Sequence, residues 1–251
     1  MTTRLLRIFV LAAALGWAGS ALAVTVSIDT SAARAVLKAI GNPDLSLPEA
    51  AQIAAMPGNQ GVIRKLREFR IDATPAGFAH ALYAAAHDQT VTAPEETAFQ
   101  FGLLKPKVKQ LDELVASIDA EPHAFQASIQ DRIAMYTPPG ADVKLSGYVV
   151  AAGDGGGYAF GSTDFYLNLI MTDELVLARS VTTHEMYHAV QGAFAKERQA
   201  PVDRAEGDTS PETACMASAR LLANLYEEGT AVEVADVSLL AKAQSPTGLR
   251  I

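Results

Sequence analysis

His184 and His188 flank a glutamate in the run His184-Glu185-Met186-Tyr187-His188, an order of types that reads His-Glu-x-x-His. On a helix, residues four apart share one face, with Cβ atoms roughly 5–6 Å apart. Two imidazoles at that spacing can therefore reach one metal ion. Glu185 falls about 100° round the helix from His184. From there a carboxylate can take a proton from water beside the ion without itself being a ligand. Met186, Ala189, Val190 and Ala193 follow the three-four spacing on the opposite side. That side is predicted to pack on a core while the other presents the ligands.

Two histidines leave a zinc site incomplete: a third protein ligand is expected, with one position kept for water. One protease pattern continues with Gly and His at positions 191 and 194, but Gln191 and Phe194 stand there, which excludes that branch. A carboxylate from a downstream helix is the alternative. Glu228, in Glu227-Glu228-Gly229-Thr230-Ala231, is the first choice, because the small residues after it let its helix come close to the metal helix. Glu227 and Glu212 remain open, since pattern alone does not separate neighbouring glutamates.

His184-Glu185-x-x-His188, followed some forty residues on by Glu228-Gly229-x-Ala231, resembles the gluzincin group of zinc metallopeptidases. More narrowly, it is similar to zinc-dependent peptidases with a helical N-terminal region and a Glu-Gly-x-Ala third-ligand motif. The resemblance implies that His184, His188 and Glu228 bind Zn2+, that Glu185 is the catalytic base, and that the substrate is a peptide or protein. It also implies that the apolar strand Phe165 to Met171 is an edge strand running beside an extended substrate. Better-known members place an Asp four residues after the ligand Glu to orient a histidine. Val232 stands there, leaving Glu233 or Asp236 to take that part. For a transition-state donor the candidates are Tyr148, Tyr158 and Tyr187. Because the chain stops at Ile251, soon after the ligand helix, the alternative function is a non-catalytic zinc-stabilised or peptide-binding protein with a truncated cleft.

The elements that must position these groups are legible in outline. From Ser27 to about Tyr136 the pattern is helical, broken at Pro43, Pro48, Pro57, Pro75, Pro94, Pro106 and Pro122. Ser46-Leu47-Pro48-Glu49 and Thr74-Pro75 read as helix starts. After Pro138-Pro139-Gly140, Lys144 to Ala152 and Phe165 to Met171 read as strands. Gly153 to Gly157 reads as a hairpin turn, since no Lys-Ser or Lys-Thr follows to make it a phosphate loop. Asp173 to Ala200 is helical and carries the motif. Ser210-Pro211-Glu212 opens another helix running towards Gly229, with a further helical stretch from Thr230. The fold class expected is α+β and zincin-like, mostly helical, with a small antiparallel sheet before the motif helix. The division expected is 24–140 as a helical subdomain and 141–251 as the metal-binding catalytic one.

At the N-terminus, Arg4 and Arg7, the apolar run Ile8 to Trp17 and Ala21-Leu22-Ala23 make a signal peptide of residues 1–23. The protein is thus expected to be exported, to the periplasm or the medium, without stable membrane insertion. The 251-residue chain carries a net charge of −8, and removing the leader with its two arginines takes this to −10. An acidic chain without a basic stripe repels phosphate backbones, which argues against nucleic acid as a partner. Oligomeric state is not readable. Cys215 is the lone cysteine, so no intramolecular disulfide forms. Its apolar helical context predicts a buried small residue. His80, His87 and His123 show no ligand pattern, and ordinary roles are expected for them.

Overall fold

The computed structural model describes residues 24–120, 122–160, 163–195 and 213–236. The leader, Glu212 with its helix start, and the His123 side chain lie outside the described residues. A first strand, β1 (Val24–Asp29), is followed by α1 (Ser31–Ile40), α2 (Leu47–Ala54), α3 (Pro57–Glu68) and α4 (Pro75–Ala86). Two short turns, α5 (Pro94–Thr97) and α6 (Phe101–Leu104), lead to α7 (Val108–Ala120) and α8 (Pro122–Met135). Then come β2 (Val143–Val150), β3 (Gly157–Ala159), β4 (Asp164–Asn168), α9 (Leu175–Ala195) and α10 (Ala214–Ala235). The architecture is α+β, mostly helical, with a four-stranded mixed sheet.

The caps read in the sequence are in place. Ser46 and Glu49 form a reciprocal capping box at α2, and the Thr74 side chain accepts from Gly77 N at α4. Each satisfies amide groups that the first helical turn would otherwise leave without partners. At α10 the cap is Thr213, whose side chain accepts from Met216 N at 3.2 Å. The helix runs unbroken through Gly229 to Ala235.

Three expectations about the strands need correction. First, the helical pattern expected from Ser27 does not start there, because Ser27 to Asp29 belong to β1: Val24 and Val26 are buried while Thr25 and Ser27 are exposed, a period of two that belongs to a strand. Second, the sheet is not antiparallel. Its order is β1-β2-β4-β3, with β1–β2 and β2–β4 parallel and only β3–β4 antiparallel. The glycine run therefore does not close a hairpin between β2 and β4. It carries the chain past the place β4 will take, out to β3, and the hairpin proper joins β3 to β4. Third, β4 is not the edge strand. Phe165, Tyr166, Leu167 and Asn168 are all buried, as suits a strand with neighbours on both sides. The edge is β3.

A single hydrophobic core runs through both halves of the chain. It joins Val36, Leu37 and Ile40 of α1 and Leu111 and Val115 of α7 to Val149 and Val150 of β2, Phe165 and Leu167 of β4, and Met186 and Val190 of α9. Among the described residues, no helix is long and apolar enough to cross a membrane.

Candidate metal centre

Helix α9 lies against β3 and β4 with Met186, Ala189 and Val190 at or below 2 % exposure. Burial of that side turns His184 and His188 outward, each partly buried, towards α10. Helix α10 is held there from its C-terminal end. Ala231, Val234 and Ala235 are buried, and Arg132 of α8 donates from Nε to the Val234 carbonyl at 2.9 Å and from Nη2 to that of Glu233 at 3.1 Å. The close approach comes from Ala231 rather than from Gly229, where an added Cβ would meet nothing within 4 Å.

Three side chains meet between the helices. His184 Nε2 and His188 Nε2 are 3.0 Å apart, and Glu228 Oε2 lies 3.3 Å from the first and 3.4 Å from the second. Among the described residues, His184, His188 and Glu228 are the group that could hold a metal ion. A tetrahedral zinc with nitrogen and oxygen ligands at about 2.0–2.2 Å has ligand–ligand edges of about 3.3–3.6 Å, so the two Glu228 edges match the ion while the 3.0 Å edge between the histidines is slightly short. The triangle fits in chemistry too. With each ring carrying its proton on Nδ1, the three converging atoms are all electron-pair donors, an arrangement that is repulsive until a cation lies among them. Glu227 lines the same cleft, but the carboxylate at the rings belongs to Glu228.

Burial and the neighbouring His188 lower the pKa of His184, against the opposing pull of Glu228 and of a hydrogen bond to the Ala231 backbone. Glu185 sits in the cleft wall beside the triangle. Burial, then the charge of Glu228, push its carboxyl up to about 7, with Lys65 pulling the other way. The cleft holds about 480 Å³ and is lined by α9, α10, the edge strand Gly157-Tyr158-Ala159, Asp154 and Gly155 of the glycine run, and Lys65 and Phe69 of α3 and its end.

Gly157 was not among the expected site residues, and its part is steric. A Cβ there would lie 2.7 Å from Glu185 Cγ and 2.7 Å from Val181 Cγ1. The edge strand can run this close to the motif helix only without a side chain at 157. Gly157→Ala is therefore expected to displace Glu185 while leaving the ligand triangle intact. A shift of about 1 Å in a catalytic group can cost on the order of 10²-fold, so any hydrolysis that depends on Glu185 should fall by that order with zinc content unchanged. Peptidase assay and metal analysis of the variant check this, and parental activity would mean the strand yields instead of Glu185.

Other expectations resolve as follows. The residue in reach of His188 is Gln191, whose Oε1 lies 2.8 Å from Nδ1. Glu233 is exposed, and Asp236 forms the left-handed C-cap of α10 with φ 53°. Of the three tyrosines, Tyr158 lines the cleft, but its hydroxyl is buried. Tyr148 stacks on Tyr166, and Tyr187 packs edge-on to Tyr136. His80 pairs with Glu96 and His87 with the Tyr83 carbonyl, ordinary roles both. Cys215 is exposed, not buried. The core holds α10 by its C-terminal turns, while Leu221, Leu222, Leu225 and Tyr226 of its middle turns stand 60–71 % exposed.

Fold and site together define a helical α+β protein with a His-His-Glu cluster that could hold a metal ion beside a sheet edge. A protein-family model described as "putative zinc dependent peptidase" (DUF5700) matches residues 51–248. The chain belongs to that family. No curated protein and no solved structure matches it.

Proposed function

We propose that the protein is an exported zinc-dependent metallopeptidase that hydrolyses peptide bonds with Glu185 as general base. The observation that carries this reading is the convergence of His184 Nε2, His188 Nε2 and Glu228 Oε2 within 3.4 Å of one another, with the Glu185 carboxyl beside them. Bound zinc supplies a Lewis acid for the substrate carbonyl and lowers the pKa of water at the site to about 7. The protein's own groups do the rest. His184, His188 and Glu228 hold the ion. Glu185 accepts the proton of the attacking water and returns it to the leaving nitrogen, a role for which a carboxyl raised towards neutrality is suited. The exposed edge of β3 offers backbone N–H and C=O groups to an extended peptide lying along the cleft.

The leader pattern supports export, and cleavage after Ala23 would leave β1 whole from Val24. In this reading residues 24–140 form the scaffold and 141–251 carry every metal ligand. The test is the zinc content of the purified protein by elemental mass spectrometry, together with hydrolysis of a quenched-fluorescence peptide library before and after chelation. Near-stoichiometric zinc, with hydrolysis lost on chelation and restored by Zn2+, is the expected result. Zinc without hydrolysis would replace the enzyme by a zinc-stabilised binding protein, and no zinc after reconstitution would end both readings.

A further inference from the structure

We infer that Gln191 is a positioning residue of the metal centre: it fixes the tautomer of His188 and ties that ring to the backbone of α10 one residue before Glu228. The inference rests on the zinc reading above but concerns hydrogen bonds that the metal-free chain already makes.

The carboxamide of Gln191 makes three contacts. Oε1 lies 2.8 Å from His188 Nδ1, while Nε2 donates to the Glu227 carbonyl at 3.0 Å and to Thr230 Oγ1 at 2.7 Å. The direction of each is forced. A backbone carbonyl can only accept. The Thr230 hydroxyl sends its own hydrogen back to the Tyr226 carbonyl at 2.8 Å, so it too meets Gln191 as an acceptor. Turning the amide over would set its oxygen against the Glu227 carbonyl and against Thr230, with no hydrogen between them. The nitrogen therefore faces α10 and the oxygen faces the histidine.

An amide oxygen has no proton to give, so the hydrogen in the His188 contact is on Nδ1. A neutral imidazole with its proton on Nδ1 presents the lone pair at Nε2, which is the atom 3.4 Å from Glu228 Oε2. The same side chain, 36 residues away in sequence from Glu227, holds α10 in register at the residue before the carboxylate ligand. His184 has its own hydrogen bond to the Ala231 backbone of α10. Gln191 also supplies the orienting contact that the sequence, with Val232 in place of an Asp, seemed to lack.

Two variants separate the halves of this role. Gln191→Met removes all three contacts at similar volume. Gln191→Glu still accepts from Nδ1–H but cannot donate to α10. Metal-free ¹⁵N-labelled protein at pH 8 is compared by long-range ¹H–¹⁵N spectra, with His188→Asn to assign the ring, and zinc affinity is measured by chelator competition. In the parent, His188 is expected to be protonated on Nδ1. Gln191→Met should shift the ring towards the Nε2–H form and weaken zinc by about 10–100-fold, the usual cost of losing such a partner. Gln191→Glu should keep the tautomer and lie between. Thr230→Val, a second route to the same tether, should weaken zinc less than Gln191→Met and leave the tautomer alone.

An Nε2–H ring in the parent, or zinc binding by Gln191→Met within a few-fold of it, overturns the inference. So does a fall in thermal stability with the tautomer unchanged, which would make Gln191 a tie between helices and nothing more. The tautomer is read without metal. A parent that binds no zinc would therefore defeat the proposed function while the hydrogen-bond assignment stands or falls separately.

Discussion

Glu185→Gln is expected to cut peptide hydrolysis by about 10²–10⁴-fold, the usual contribution of a positioned general base, with zinc content equal to that of the parent. The substitution keeps shape and removes only the capacity to take a proton. The ligand triangle is formed by other residues, so the ion has no reason to leave. The metal-free protein gives a second readout. Burial and Glu228 raise the Glu185 carboxyl from 4.5 to about 7 in the folded chain. A raised carboxyl means that the native state binds its proton more tightly than the unfolded chain does, so stability falls as pH rises from about 4.5 to about 7. Glutamine carries no such cost. Without metal, the variant should therefore melt above the parent at pH 8 and match it near pH 4. Loss of zinc together with activity would make Glu185 a ligand and contradict the assigned roles, and parental activity would move the base elsewhere.

The motif helix was legible because its chemistry is periodic. Four-residue spacing puts His184 and His188 on one face, and the three-four run Met186, Ala189, Val190 marks the opposite face for burial, where the structure places it. The carboxylate that meets the two rings was legible only as a first choice, Glu228, with Glu227 and Glu212 left open. Glu227 and Glu228 differ by about 100° around a helix, and which one faces the rings depends on how α10 is rotated. Arg132, 101 and 102 residues away, holds that rotation at its far end. Gln191 escaped a sequence reading for the same reason. Its role depends on the Glu227 carbonyl and Thr230, which only the docking of α10 brings near.

The strands show a different failure. Val24–Asp29 alternates in burial, but the Ala-rich helices that follow drew the helical reading back to Ser27, inside that strand. The direction of β2 against β4 was not visible at all. A short glycine loop between two apolar runs favours a hairpin, and a three-residue edge strand such as β3 has almost no signal of its own. Full burial of Phe165 to Asn168 was the available clue, since a strand without alternation is covered on both faces and belongs inside a sheet. The consequence is functional. With β4 interior, the strand beside the cleft is β3, and Gly157 is the residue of it that packs close against Glu185.

Glu228→Ala is expected to abolish hydrolysis and to weaken zinc by about 10²–10³-fold. Apparent zinc binding of roughly 10–16 kcal/mol spread over four ligands gives about 3–4 kcal/mol to each, and about 1.4 kcal/mol is a factor of ten. Glu227→Ala serves as the comparison. It keeps the backbone carbonyl that accepts from Gln191, and it leaves the carboxylate at the rings untouched. Its zinc affinity should stay within a few-fold of the parent. In metal-free Glu228→Ala, losing the neighbouring charge should also bring the Glu185 carboxyl down from about 7, since Glu228 is the second cause of its rise. Zinc retained in Glu228→Ala but lost in Glu227→Ala would mean that α10 turns when the ion binds, and the triangle described here would then belong to the empty protein alone. Loss in Glu228→Ala only would tie zinc, and with it the proposed chemistry, to the carboxylate that already stands 3.3 Å from His184 and 3.4 Å from His188.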